Sequence, residues 1–186
     1  MELKKAVRTI YGGVEYDSGL EAKYAEAFDA LGIRFEVKPK RFNGNGFQYR
    51  PDFYLPDLGT YFEVKGLEWR REIEQAKANL VLENGCRLYL GDNNGYLYEV
   101  RKDELVKAKP IKCLSCGRWY LSPWWDFLPA FRSPTCSDER DAYYECRYGC
   151  KDARCDIRDN IFEPVGLKIY EYERRYPIGE VRHAFQ

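Results

Sequence analysis

Apolar residues recur at helical spacing early in the chain, at Leu20, Ala27, Phe28 and Leu31, with Tyr24 beside them. Ser18 stands at the N-cap position, and Glu21 follows three residues later, as in a capping box. Gly32 closes that helix in the usual C-terminal role. The pattern then turns strand-like over residues 33–37, 47–55 and 60–65. A second helix is predicted over about 69–83, stopping at Asn84-Gly85. Residues 86–90 and 96–100 read as further strands, joined by the turn Gly91-Asp92-Asn93-Asn94-Gly95. The order is helix, three strands, helix, two strands. It describes an α/β core in which an antiparallel hairpin is followed by a crossover helix. Near the end of the sequence, residues 167–172 and 181–185 read as strands around Pro177-Ile178-Gly179, packing on either part of the protein.

The most informative stretch runs from Tyr49 to Gly66. Pro56-Asp57-Leu58-Gly59 is a natural turn, with Pro early and Gly late. A hairpin symmetric about the Asp57–Leu58 bond sets Leu55 opposite Thr60 and Asp52 opposite Glu63. Opposed residues share a face, with Cβ atoms roughly 4.5–5.5 Å apart. Lys65, two residues past Glu63, falls on that same face, while Phe62 and Val64 point into the core.

Two opposed carboxylates repel, so packing alone does not favour the pair. A hard divalent cation removes the conflict, and Mg²⁺ is typically held by one or two carboxylates plus water and phosphate oxygens. Such an ion polarises a phosphodiester and acidifies water, and Lys65 is placed to orient that water or to stabilise developing charge. A nearby cation would also favour a lowered lysine pKa. An ordinary solvated hairpin face explains an isolated Glu-x-Lys equally well. It does not explain Pro-Asp, the spacing to Glu-x-Lys-Gly and a preceding capped helix together.

In those residues the chain resembles the PD-(D/E)XK nuclease superfamily, which includes restriction enzymes, phage recombination nucleases and Holliday-junction resolvases. Pro51-Asp52 matches the first half of its motif and Glu63-Val64-Lys65 the second. The superfamily core is a helix, a three-stranded meander, a crossover helix and a further strand, which agrees with the reading over about residues 16–100. Ser18-Gly19-Leu20-Glu21 is similar to the element that brings a metal-assisting glutamate to many members. Glu21 thus has two roles open to it, metal ligand and capping-box residue. The resemblance implies Mg²⁺ or Mn²⁺ as catalytic cofactor, hydrolysis of DNA, less often RNA, and 5′-phosphate products; it does not choose among subfamilies, and endonuclease action is the reading adopted. It leaves a homodimer open. Gln75 on the second helix reads as a surface residue, because Asn79 stands where some exonuclease-like relatives carry a tyrosine.

Lys38, Lys40, Arg41 and Arg50 flank the motif. They are candidates for phosphate contact, and residues 40–46 read as a flexible loop. Solvated loop residues are the equal alternative.

Composition alters this picture at two points. Acidic and basic residues balance at 30 each, so there is no global basic footprint of the kind nucleic-acid binders usually show. A local basic groove remains compatible with that balance. Cysteine is the second point: residues 1–112 contain only Cys86, whereas 113–155 contain the other six. Six in 43 residues are too many for scattered core thiols. Cys113-Leu-Ser-Cys116-Gly117 has the form of a zinc knuckle. Cys146 and Cys150 are the first choice to complete a structural Zn²⁺ site, with Cys136 and Cys155 as alternates. A four-cysteine iron–sulfur cluster is the other option, which the knuckle disfavours.

The organisation expected is therefore a nuclease core at 1–109, a cysteine-rich zinc module at 110–160 and C-terminal strands at 161–186. The aromatics Trp119, Tyr120, Trp124, Trp125, Phe127 and Phe131 read as the core of the module, with base stacking as the alternative. His183, the one histidine, reads as structural. No apolar run approaches the ~20 residues that span a bilayer, and no signal-peptide core opens the chain, so a cytoplasmic protein without membrane contact is expected. The main competing function is a non-catalytic, zinc-containing nucleic-acid-binding or adaptor protein. A metal-dependent hydrolase of another class fits poorly with the scarcity of histidine.

Overall fold

The computed structural model describes residues 7–44, 46–65, 71–102, 104–114, 116–123, 143–144, 153–158 and 160–162, with the backbone alone at 71–73, 122–123, 143–144 and 153–157. It is a mixed α/β fold. A hairpin of β1 (Thr9–Tyr11) and β2 (Val14–Tyr16) leads into α1 (Gly19–Leu31). The predicted caps form. Ser18 Oγ accepts the Glu21 amide at 3.1 Å. At the other end Gly32 takes φ 65°, a left-handed conformation that suits glycine. The Gly32 amide then donates to Asp29 O and the Ile33 amide to Phe28 O, which satisfies the last carbonyls in the Schellman pattern.

The strands that follow are β3 (Glu36–Val37), β4 (Phe42–Gly44), β5 (Phe47–Tyr49), β6 (Phe53–Leu55) and β7 (Thr60–Val64). Helix α2 (Arg71–Glu83) then leads to β8 (Arg87–Gly91) and β9 (Leu97–Val100). The stretch 47–55, expected as one strand, is two. Pro51 has no amide to give a ladder, and the chain bends there. The half before the bend, β5, pairs with β4, so residues 42–44 of the expected flexible loop are strand. The half after it, β6, joins the main sheet.

In that sheet β3, β6 and β7 form an antiparallel meander, and β8 lies parallel to β7 after the α2 crossover. Consecutive residues of β7 alternate between two buried layers. Phe62 and Val64 join the layer under α1, with Tyr24, Phe28 and Phe53. Tyr61 joins the other layer, with Phe42, Tyr49, Ala78 and Val81 under α2 and the β4–β5 hairpin. Phe28 anchors the first layer by meeting Phe53 and Phe62 edge-on, at centroid distances of 5.5 and 5.2 Å. Such contacts add about 0.5–1.5 kcal/mol each beyond area burial.

The sheet continues past β9. The remaining strands are β10 (Leu105–Cys113), β11 (Trp119–Pro123), β12 (Tyr143–Tyr144) and β13 (Ala153–Ile157). Among the described residues the order is β12-β13-β10-β9-β8-β7-β6-β3, with β11 also on β10. Strand β10 pairs with β9 over Leu105–Ala108 and with β13 over Ile111–Cys113, while β11 takes its other edge. It thus runs unbroken through Lys109-Pro110, where the composition changes. Tyr120 is buried and Trp119 packs against the layer under α1, as a core role for these two aromatics requires. Trp124, Trp125, Phe127, Phe131, His183 and the strands expected at 167–172 and 181–185 lie outside the described residues. Among the described residues no helix is long and apolar enough to cross a membrane.

Candidate active site at the end of the β6–β7 hairpin

The β6–β7 register is the one expected from the turn: Leu55 opposes Thr60, Tyr54 opposes Tyr61 and Phe53 opposes Phe62. A 3₁₀ turn at Pro56–Leu58 and Gly59 at φ 59° close the hairpin. The ladder ends at Phe53. One residue earlier, the Asp52 side chain takes over, its Oδ2 accepting the Val64 amide at 2.8 Å. The Asp52 carbonyl accepts the Lys38 amide at 2.8 Å. Both ends of Asp52 are therefore fixed by backbone donors.

Glu63 is buried on the α2 side of the sheet. Its Oε2 accepts from the Tyr49 hydroxyl at 2.7 Å and its Oε1 from Lys65 Nζ at 2.6 Å. Lys65 extends the parallel pairing with β8, its amide donating to Gly91 O at 2.8 Å. Its ammonium also reaches Glu74 Oε2 on α2 at 2.6 Å, and Glu74 in turn pairs with Lys77 at 3.0 Å. The hairpin end thus gathers Asp52, Glu63 and Lys65, as expected, and adds Tyr49, Glu74 and Lys77.

Glu21 arrives from the first turn of α1. Its carboxylate accepts from the Ser18 hydroxyl at 2.8 Å and from the Asp17 amide at 3.2 Å. A strict capping box would use the Ser18 amide instead. Glu21 also lies close enough to Asp52 to raise the Asp52 pKa, so it caps the helix and belongs to the anionic cluster.

The electrostatics follow from this crowding. Burial, then repulsion from Glu63 and Glu21, push Asp52 well above the usual carboxylate range, against the Val64 amide and Lys65. Burial likewise raises Glu21, opposed by its hydrogen bonds to Ser18 and Asp17. For Lys65 burial works against the ammonium, but Glu63 and Glu74 outweigh it and raise the pKa. The direction is opposite to the lowering expected from the sequence, because two carboxylates meet the ammonium. Glu74 is pushed up by burial and pulled down further by Lys65 and Lys77, ending below its ordinary value.

Among the described residues no group of three or more His, Cys, Asp or Glu side chains forms a ready-made metal site. The donor set nevertheless fits a hard divalent ion held by two carboxylates. Asp52 carries an unrelieved cost of ionisation beside Glu63, and oxygen donors suit Mg²⁺ or Mn²⁺. Recruiting Glu63 requires its oxygens to exchange Tyr49 or Lys65 for the ion.

The other candidates are dispersed. Lys38 pairs with Asp17 at 2.9 Å and lies near Glu21, whose pKa it lowers. The Lys40 ammonium sits 4.9 Å from the centre of the Phe42 ring, and Arg41 donates to Gln48 at 3.3 Å. Arg50 is exposed next to Pro51. Gln75 bonds Asn79 and the Lys102 carbonyl, in keeping with a place outside the site. Of the cysteines, Cys113 is buried at the end of β10 and Cys116 is exposed in the turn after it. Cys136, Cys146 and Cys150 lie outside the described residues. A cleft lined by Gly32, Arg34, Asp57, Arg118 and Trp119 lies at the turn end of the hairpin, away from Asp52 and Glu63.

Glu74 escaped the sequence reading although a signal was present. It falls four residues before Ala78 and seven before Val81, both buried, so it occupies the apolar stripe of α2. A charged residue on that stripe demands a partner, and Lys65 and Lys77 both supply one. Comparison with protein-family models, curated proteins and solved structures finds no match for this chain.

Proposed function

We propose that this protein is a metal-dependent nuclease of the PD-(D/E)XK type, cutting DNA internally. The observation that carries the reading is the convergence of Asp52, Glu63 and Lys65 at one end of the β6–β7 hairpin, with the Asp52 anion disfavoured by burial and by neighbouring carboxylates. The element order supports it: α1, the β3-β6-β7 meander, the α2 crossover and parallel β8 follow the superfamily core. Asp52 and Glu63, with Glu21 beside them, would hold Mg²⁺ or Mn²⁺. The ion supplies neutralisation of the phosphate and acidification of water.

The chain's own groups do the rest. Lys65 holds a proton at Nζ and donates to a phosphate oxygen or to the attacking water. Glu74 keeps that ammonium aimed and charged. Water attacks phosphorus and gives up a proton to solvent, the bond to the 3′ oxygen breaks, and the leaving oxygen takes up a proton from solvent. The products are a 5′-phosphate and a 3′-hydroxyl. Lys38, Lys40, Arg41 and Arg50, though dispersed, are the candidate phosphate contacts.

A non-catalytic nucleic-acid-binding role draws on one observation, that both Glu63 oxygens are engaged by protein donors. Cleavage decides between the two. Purified protein is incubated with single-stranded, duplex, flapped and four-way DNA, in Mg²⁺, Mn²⁺ or EDTA. Metal-dependent cutting that is lost in Asp52→Ala and Lys65→Ala is expected. Cutting that survives both substitutions removes the site, and no cutting of any substrate returns the protein to the binding role.

A further inference from the structure

The end of β10 is built as a knuckle. Gly117 donates its amide to Cys113 O at 2.7 Å, and Cys113 donates to Arg118 O at 2.9 Å. Gly117 takes φ 73°, which turns the chain back into β11 with Cys116 at the tip. This is the short loop that lets two thiolates of a Cys-x-x-Cys pair approach one ion.

A second observation comes from the other side of β10. Strand β13 pairs with it so that Cys155 stands directly opposite Cys113. Directly opposed residues of an antiparallel pair have Cβ atoms roughly 4.5–5.5 Å apart, which suits two sulfurs on one tetrahedral ion. Three of the seven cysteines are thereby brought to one place by hydrogen-bonded backbone. Chance does not favour this in a chain whose first 112 residues hold a single cysteine.

We propose that Cys113, Cys116 and Cys155 bind one zinc ion that locks β10, β11 and β13 together. The fourth donor falls to one of Cys136, Cys146 and Cys150, which lie outside the described residues. Cys146 is two residues past Tyr144 and Cys150 three before Ala153, and these two ends oppose each other in the β12–β13 ladder. Cys155 thus replaces one of the two ligands that spacing alone favoured. The ion pins added strands onto the sheet that carries the candidate active site, and does not depend on that site being a nuclease.

Elemental analysis of the full chain, purified without chelator, tests this directly. About one zinc per chain is expected, lost in Cys113→Ser and Cys155→Ser and retained in Cys86→Ser and Asp52→Asn. Retention in Asp52→Asn separates this ion from the one proposed at the hairpin. Alkylation of the wild-type protein, mapped by mass spectrometry, gives a readout that does not depend on the variants folding. Cys113, Cys116 and Cys155 should be protected until a chelator is added. Zinc retained by Cys155→Ser, Cys155 alkylated equally with and without chelator, a Cys113–Cys155 disulfide, or iron in place of zinc would each overturn the assignment.

Discussion

At the scale of single residues, the site is an imbalance of charge held in place by the fold. Asp52 carries the clearest signature. Its folded-state pKa is raised, so the stability it contributes is fully present below the unfolded value of about 3.9 and is lost as pH rises through the folded value. Asp52→Asn removes the charge and keeps an oxygen for the Val64 amide. In EDTA this variant should melt higher than wild type at pH 7, by about 0.5–2 kcal/mol, and the gap should shrink as pH falls towards 4. Equal melting at all pH values would show that Asp52 is not under electrostatic strain. Lys65 behaves in the opposite way. It bridges Glu63 and Glu74, all three largely withdrawn from water. Lys65→Met leaves both carboxylates without it, and a loss on the order of 3 kcal/mol is expected in denaturant unfolding. A loss within ~0.5 kcal/mol would place the three groups in effective contact with solvent. Asp52, Glu63 and Lys65 were legible in sequence because their spacing is tied to a turn. Tyr49 was not, because it reaches the site from β5 and no local spacing links it to β7; Glu74 was signalled only as a charge on the apolar stripe of α2, with nothing local to name Lys65 as its partner.

At the scale of elements, caps and turns were the most legible features. Ser18, Gly32 and Gly59 each do what their residue type favours locally. Ser18→Ala should cost about 1 kcal/mol, read as a lowered melting temperature. An unchanged value would mean that Glu21 holds the helix start by itself. The break within 47–55 was less legible. Alternating apolar residues continue across it, and Pro51 signals a bend without saying which partner each half will take. Strand β8 shows a tighter constraint that pattern reading cannot reach. A Cβ on Gly91 would lie 2.4 Å from the Tyr24 ring, whose hydroxyl donates to Asp92 O at 2.7 Å. Gly91→Ala should therefore destabilise by about 1–3 kcal/mol, from overpacking against a ring that is fixed at both ends. Because Gly91 O also anchors the Lys65 amide, the displacement should propagate to the site. Unimpaired stability in Gly91→Ala would show that Tyr24 can move aside at little cost.

At the scale of the whole molecule, cysteine content pointed to a boundary near Lys109-Pro110, whereas β10 runs through it without a break. Strand β10 begins beside β9 and ends beside β13, so the cysteine-bearing strands extend the same sheet as the candidate active site. Composition could not reveal this, because pairing between distant strands leaves no trace in local residue usage. The α/β class was legible from the alternation of periods alone, and the added strands β10 to β13 were not. The proposed reaction rests on a place where the fold gathers anions that packing does not need. Nicking of supercoiled DNA in Mn²⁺ or Mg²⁺, by wild type and Asp52→Asn side by side, tests it with the least ambiguity. Asp52→Asn is expected to be the more stable protein in EDTA, so its failure to cut cannot be ascribed to unfolding. Metal-dependent nicking by wild type and none by Asp52→Asn is the expected result. Equal nicking by both, or none by wild type, would contradict a nuclease centred on Asp52, Glu63 and Lys65.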